Sequence, residues 1–530
     1  MSTVRDAVFE ILRRYELTTI FCNPGSTEVS LLTGLPDDLR FVLALHEGSV
    51  IGMATGWAIG REAPALAVLH TTAGLGNAVG AIATARANRV PLVIIVGQQD
   101  RRHLALEPFL AGRLGGLAGD YPVWVDQPVR AQDVPGAVAR AFHEAGTFRG
   151  PALVIVPMDD WGALFEDGET LAAPGRVLRP VAVADSDLAP LVSLLAGARS
   201  PAVVAGAGAS WESLVALAER LGCPVFQESF GARAGFPQDH PRYAGVLPAD
   251  RARLREALAG HDVVLAVGAP VFRQYPYAPG PLVEPGTVVA VVTDDPAEAH
   301  RSAADMACLA APSAVCARLA TLLPARTPTT TRASGLVELP ELPAEGRPLR
   351  AAHVLHELAQ RLPADTVLIE ETPSSRPDLH RLIPARTPLG FLSAAMGGLG
   401  FAVPAAVGLR MALPHRPVVA VVGDGSALYG VHALWSAAHY HVGALFVVLA
   451  NGRYAVMDRL ADKQGGKAPW PAFTEVDMRA LARSLGCPAR RVDDHDELTS
   501  ALEEILPTLS TREEPLLLDV TVTVDPDFQP

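Results

Sequence analysis

Twelve short apolar runs, separated by helix-like patterns, restrict this chain more than any other feature. TTIFCNPG, FVLAL, ALAVLH, LVIIVG and ALVIVP come first, then AVVAGAG, VVLAVGAP and VVAVV, then TVLIEE, VVAVVG, LFVVLANG and LLLDVTV. They are apolar nearly without interruption rather than alternating, the pattern of parallel strands covered by helices on both faces. The expected class is α/β, with doubly wound parallel sheets. At roughly 150 residues per domain, 530 residues call for three or four domains. Periodicity is lost at about 163–190 and in the Pro- and Thr-rich stretch 324–349, which read as connectors. The resulting division is 1–175, 185–325, a linker at 326–349, and 350–530.

Charge and cysteine usage narrow the partners. A formal net charge of −13 argues against a polyanion-binding surface, which needs clustered Lys and Arg, so nucleic acid is not an expected partner. Cys22, Cys223, Cys308, Cys316 and Cys487 form no CxxC pair and no metal-ligand cluster; free thiols in a reducing cytoplasm are the economical reading. The opening MSTVRDAVFEILRRYEL is an amphipathic helix pattern without the apolar core of a signal peptide. No run of about 18 uncharged apolar residues offers a membrane span.

The richest segment is VVAVVGDGSALYGVHALWSAAHYHVGALFVVLANGRY. One strand runs into Gly423-Asp424-Gly425-Ser426, a helix follows, and a second strand runs into Asn451-Gly452-Arg453-Tyr454. Glycines at a strand's carboxyl end admit phosphate oxygens to backbone amides, and the next helix start favours anions. A carboxylate from the first loop and an amide oxygen from the second suit Mg²⁺, which takes hard oxygen ligands. Asp424 and Asn451 lie 27 positions apart, a spacing that a strand–helix–strand unit brings to neighbouring strand ends. A GDGS alone is an ordinary turn; the downstream Asn-Gly at this distance is what shifts the balance toward a cofactor site.

GDGS with an asparagine at this distance resembles the signature of thiamine-diphosphate enzymes. That resemblance implies three α/β domains, which bind the pyrimidine, form a central unit and bind the diphosphate. It implies thiamine diphosphate and Mg²⁺ as cofactors, with the metal on Asp424, Asn451 and the carbonyl of Arg453. Gly425, Ser426, Tyr454 and Ser374 join the expected cofactor-binding set. The family usually carries two adjacent asparagines at the second loop; here the first is Ala450, and Asn451 matches the ligand. Glu47, in FVLALHEGSVIGMATGWA, is the expected activating acid, which protonates a pyrimidine nitrogen; a helix cap or a surface acid is the plain alternative. In SAAMGGLGFAVPAAVG, Leu399 is the expected apolar wedge between the rings, and the Gly397 carbonyl accepts from the pyrimidine amino group. A glycine-rich packing loop is the alternative there.

Within that family the chain is most similar to the benzoylformate decarboxylase branch, through LRRYELTTIFCNPGSTE, LHTTAGLGNAVGA, PLVIIVGQQDRR, PALVIVPMDDW, GHDVVLAVGAPVFR, GGLGFAVPAAVG and GDGSALYGVHALWSAAHY. The resemblance implies non-oxidative decarboxylation of an aromatic, benzoylformate-like 2-oxo acid. It makes Ser26 a contact to the substrate carboxylate and His70 a proton-transfer residue, suited by an imidazole pKa of about 6.5. It also implies a site shared between two chains, hence a homodimer at least and a homotetramer as the expected assembly. The chain departs from the branch where a second catalytic histidine is expected: Tyr275 stands there, and a phenol accepts a proton near pH 7 less readily than imidazole. Ser393, Val456 and Leu460 alter the family's aryl pocket, whereas Phe109 and Leu110 stay bulky.

Two other readings compete. A thiamine-dependent carboligase of the acetolactate synthase kind would join the intermediate to a second carbonyl, commonly with a flavin in the central domain. AVVAGAGAS lacks the complete GxGxxG spacing and an acidic partner, which favours a structural turn. A catalytically silent regulatory subunit would have no use for Glu47, His70, Asp424 and Asn451 together. No intact dinucleotide fingerprint supports a nicotinamide dehydrogenase.

Overall fold

All twelve apolar runs become strands of three separate parallel sheets in the computed structural model, which describes residues 2–166, 168–327, 341, 343 and 348–525. The first sheet holds β1 (Thr19–Cys22), β2 (Arg40–Leu43), β3 (Ala65–Leu69), β4 (Leu92–Gln98), β5 (Trp124–Asp126) and β6 (Pro151–Pro157), in the order β2-β1-β3-β4-β6-β5. The central sheet holds β7 (Pro201–Ala205), β8 (Val225–Gln227), β9 (Tyr243–Val246), β10 (Val263–Val267), β11 (Val288–Thr293) and β12 (Met306–Leu309), ordered β9-β8-β7-β10-β11-β12. The third holds β13 (Leu349–Arg350), β14 (Val367–Glu371), β15 (Leu392–Ser393), β16 (Val418–Gly423), β17 (Leu445–Ala450), β18 (Ala489–Val492) and β19 (Leu516–Thr523). Its order is β15-β14-β16-β17-β19, with β18 and β13 end to end along the outer edge of β19.

The register explains why near-continuous apolar runs were needed. β3, β4, β6, β7, β10 and β14 are buried at every position, since each has a strand on both sides and helices above and below. Strand order reverses between β1 and β3, between β7 and β10, and between β14 and β16. In open sheets of this kind ligands collect outside the carboxyl ends of strands at such reversals. Most residues singled out from the sequence cluster at the first and third of these points, while Tyr275 follows β10 at the second.

Five helices position the site: α1 (Glu47–Arg61) after β2, α2 (Thr71–Ala87) after β3, α3 (Arg376–Leu382) after β14, α4 (Ala402–Ala412) before β16, and α5 (Asp424–Ala427) after it. α1 is buried almost all round and lies against α4. Gly52, Gly56 and Gly60 recur every fourth residue on that contact. A Cβ on Gly52 would sit 2.6 Å from Pro404 Cγ, one on Gly60 2.7 Å from Ala412 Cβ, and one on Gly56 would overlap the Ala405 carbonyl. Backbone-to-backbone approach fuses the first and third domains into one core that includes Phe21, Ile51, Val407 and Val422.

Some details differ from the sequence reading. The helix expected after GDGS is broken: α5 ends at Ala427, and Ala433–His439 resumes after a turn. The first connector ends earlier than 190, because Asp185–Gly197 is helical. Of the linker expected at 326–349, residues 328–340, 342 and 344–347 lie outside the described residues, and Leu349 already belongs to β13. All five cysteines are free thiols, all but Cys308 buried. No helix among the described residues is long and apolar enough to cross a membrane.

Candidate active site

The first cluster forms at the carboxyl ends of β1, β2 and β3. Glu47 opens α1 with its carboxylate buried, behind an N-cap supplied by His46, whose Nδ1 accepts from the Gly48 amide at 3.0 Å. Both carboxylate oxygens are held. Asn23 Nδ2 donates to Oε1 at 3.0 Å, and Asn77 Nδ2 donates to Oε2 at 3.1 Å. A buried carboxylate needs such donors, because desolvation without them is costly. They come from the loop after β1 and from α2, so the adjacency of β1 and β3 is what delivers them.

His70 ends β3 and faces the same loop. Its Nδ1 lies 2.9 Å from Thr27 Oγ1 and 3.1 Å from Glu28 Oε2, and Thr27 Oγ1 in turn donates to Glu28 Oε1. Donation from Nδ1 to the buried Glu28 leaves Nε2 as the nitrogen able to take or give a proton. Gly25 makes this possible, for a Cβ there would sit 2.3 Å from Cγ and Nδ1 of the imidazole. Ser26 lies exposed in the same loop, one residue away.

The second cluster forms at the ends of β14, β16 and β17. Asp424 accepts from the Gly425 amide at 2.8 Å and, through its other oxygen, from the Gly452 amide at 2.6 Å, which ties the two predicted loops together. Asn451 Oδ1 accepts from the Arg453 amide at 3.0 Å. Burial pushes the Asp424 carboxyl up from its usual range, opposed by the amides of Gly452, Gly425 and Asn451. A cation beside it would favour the ionised form. Among the described residues no three His, Cys, Asp or Glu side chains group as a metal set. The available donors here are one carboxylate, one amide oxygen and a backbone carbonyl, an all-oxygen set that fits a hard divalent ion with room for ligands from a diphosphate. Gly425 has no space for a side chain, its Cβ position lying 2.6 Å from the Tyr454 ring. Ser426 is buried in α5, and Ser374 sits in the turn after β14, beside β16 in the sheet.

Tyr275, Gly397, Leu399, Ser393 and Val456 line one cavity of about 660 Å³. The Gly397 and Gly400 backbones have φ of 70° and 91°, a left-handed geometry that glycine adopts without strain. Glu371, at the end of β14, takes the amides of Gly400, Phe401 and Ala402 at 2.6 to 2.8 Å and so fixes the loop that presents Leu399. Burial pushes its carboxyl up to about 7 against the pull of those amides. Tyr275 is 62% exposed, its ring edge-on to Phe230.

No described residue of the first domain lines that cavity. Glu47, His70 and Ser26 thus form one face, and Tyr275, Leu399 and the Asp424 loops another, which a single chain does not close over one cavity. Phe109, expected in an aryl pocket, is 88% exposed, and neither it nor Leu110 or Leu460 lines the cavity. The sequence reading missed Asn23, Asn77, Glu28, Glu370 and Glu371. Asn23 and Asn77 stand inside motifs that were singled out, and an Asn beside a buried acid was the available signal.

Comparison with known proteins places this geometry. Family models for the thiamine pyrophosphate enzyme N-terminal TPP binding domain, central domain and C-terminal TPP binding domain match residues 2–115, 188–319 and 374–520. A benzoylformate decarboxylase of Pseudomonas aeruginosa is 38% identical, over 99% of this chain and 100% of that one. Among solved structures, the thiamine diphosphate-dependent 4-hydroxybenzoylformate decarboxylase of Rhodococcus jostii RHA1 superposes with a TM-score of 0.94 at 34% identity, covering 99% of this chain and 100% of that one. Benzoylformate decarboxylase from Polynucleobacter necessarius gives 0.93 at 31% identity, with both chains covered completely.

Proposed function

Because the chain belongs to the thiamine pyrophosphate enzyme family, we propose that it decarboxylates a 2-oxo acid non-oxidatively, releasing carbon dioxide and an aldehyde. The observation that carries this reading is the buried Glu47 carboxylate, pinned by two carboxamides at the head of α1 in a chain whose Asp424 and Asn451 loops are tied together. Thiamine diphosphate, held with Mg²⁺, supplies the electron-accepting thiazolium at which a 2-oxo acid loses its carboxylate.

The chain's own groups divide the remaining work. Glu47 holds a proton at the pyrimidine ring, and Asn23 and Asn77 keep its two oxygens aimed. Asp424, Asn451 Oδ1 and the Arg453 carbonyl would hold Mg²⁺, and Gly425, Ser426, Ser374 and Tyr454 would bind the diphosphate. With the cofactor bound, Leu399 would pack against its rings, and the Gly397 carbonyl would accept from its pyrimidine end. The Ser26 hydroxyl orients the substrate carboxylate. His70 Nε2 moves the proton that completes the aldehyde, its tautomer set by Glu28. Tyr275 donates a hydrogen bond from the cavity side.

The substrate fits a benzoylformate-like aromatic acid by its kinship with the relatives above. The two faces of the site meet across two chains, so a homodimer is the least active unit and a homotetramer the expected assembly; the exposed Leu106 and Phe109 are apolar groups for a partner to cover. Five free thiols suit the cytoplasm. The test is a panel of 2-oxo acids with added thiamine diphosphate and Mg²⁺, following carbon dioxide and aldehyde together. Equal yields of both support the reading, and a 2-hydroxyketone in place of aldehyde points to carboligation. Silence across aromatic and aliphatic acids, with cofactor demonstrably bound, overturns it.

A further inference from the structure

The cavity past Leu399 is apolar over much of its surface, through Phe230, Pro373 and Val456, yet one wall is ionic. Glu370, buried at the end of β14, accepts from Ser393 Oγ at 2.9 Å and from the Thr372 amide at 2.7 Å. Arg376, the first residue of α3, sets its Nε 3.6 Å from Glu370 Oε2 and 3.3 Å from His380 Nε2. Its two terminal nitrogens make no hydrogen bond among the described residues. The other guanidinium groups on the lining are engaged, Arg253 with Asp250 and Arg381 with Asp378. Burial, then the charge of Arg376, hold His380 down to about 3, so it is neutral here. Glu371 is committed to its three backbone amides.

The wall therefore offers one carboxylate and one guanidinium fork with donors to spare, neutral in sum, beside a buried His380 Nδ1 that has no hydrogen-bond partner among the described residues. Arg376 keeps 20% of its side chain exposed at the cavity, so a substrate that displaces water there has to replace those hydrogen bonds, which makes the pair a selector. A second carboxylate on the substrate would satisfy Arg376 but add negative charge beside Glu370. An ammonium would satisfy Glu370 but add positive charge beside Arg376. A hydroxyl serves both and leaves the charge balanced.

Resting on the decarboxylase reading above, we infer that the Glu370–Arg376 wall is a specificity subsite for a distal hydroxyl on the 2-oxo acid, which donates to Glu370 and accepts from Arg376. Neither residue touches the reacting carbon; both choose the substrate.

The test uses the holoenzyme with three arylglyoxylates that differ only at the para position: hydrogen, hydroxyl or carboxylate. The hydroxyl compound should exceed the plain one at least tenfold in kcat/KM, and the carboxylate should fall below both. In Arg376→Met and Glu370→Gln the hydroxyl-to-hydrogen ratio should drop toward one, with Arg376→Lys between. Calorimetric binding of the unreactive 4-hydroxymandelate and mandelate should show the same order without turnover. Equal kcat/KM for hydroxyl and hydrogen in the unaltered enzyme overturns the subsite and leaves decarboxylation standing, as does preference for the carboxylate. If none of the three is turned over, the decarboxylase reading is in question, and the calorimetric order alone decides the wall.

Discussion

Around Glu47 the polar atoms are paired off within the first domain, whereas around Arg376 the cavity wall keeps donors and acceptors in reserve. Glu47 has an amide on each oxygen and His70 has Glu28 and Thr27 on Nδ1, all within 3.1 Å. Arg376 has two loose neighbours for Nε, His380 Nε2 at 3.3 Å and Glu370 Oε2 at 3.6 Å, and no hydrogen bond for its fork among the described residues. A group that must move protons at the cofactor gains from a fixed orientation before substrate arrives, because no reorganisation is then needed during reaction. A group that recognises substrate gains from open valence. The difference teaches that the reaction is written in the saturated region and the choice of substrate in the unsaturated one.

The sharpest way to break this comparison is Glu47→Gln. One of the Asn23 and Asn77 amides keeps an oxygen to face, the other meets the new NH2, and the acid is gone. Carbon dioxide release should fall at least a thousandfold, roughly 4 kcal/mol of barrier; near-normal turnover would remove Glu47 from the chemistry. His380, in the second region, offers a test on stability instead. The unfolded chain takes a proton near 6.5 while the folded chain refuses it down to about 3. The unfolded state thus binds more protons across that window, and stability must fall as pH falls below 6.5. Urea unfolding should lose about 2 kcal/mol between about pH 7 and 5 from this group, and His380→Gln should flatten the slope by that amount.

Asn77→Ala probes whether saturation matters by leaving one Glu47 oxygen without its donor. A loss of about tenfold in kcat, about 1.4 kcal/mol, is expected with little change in KM; a change confined to KM would make Asn77 a substrate contact instead. Tyr275→Phe should have the smallest effect, under about tenfold in kcat, since the exposed phenol hydroxyl makes no hydrogen bond among the described residues. A loss as large as that of Glu47→Gln would move Tyr275 from the recognising region to the reacting one.

Much of the fold was legible because parallel strands buried on both faces leave an uninterrupted apolar run. The strands of the three sheets that went unread are all short, and most lie at edges: Trp124–Asp126, Val225–Gln227, Tyr243–Val246, Met306–Leu309, Leu349–Arg350, Leu392–Ser393 and Ala489–Val492. Met306–Leu309 alternates half-buried and exposed residues, as an edge strand does, and no such run forms. Glu47, Asp424 and Asn451 were legible because each carries its context within a few residues. Asn77 was not, although it lies in a quoted motif: it stands 30 positions from Glu47, and nothing local says that α2 will pass alongside α1. The broken helix after Asp424 escaped for the same reason, since nothing local to Leu428–His432 marks the turn that interrupts it.

By itself the sequence determined what repeats along the chain or sits within one loop: the α/β class, the strands of the sheet interiors, and the acid and oxygen donors of the cofactor loops. Apolar periodicity and turn chemistry depend on near neighbours, and a linear reading contains them. The tertiary structure decided which distant residues meet. Strand order brought Asn23 and Asn77 to Glu47, the glycine-lined contact of α1 with α4 joined the first and third domains, and the chain's path around β14 set Arg376 beside Glu370. Those pairings follow from packing and sheet order, which no local pattern of residues encodes.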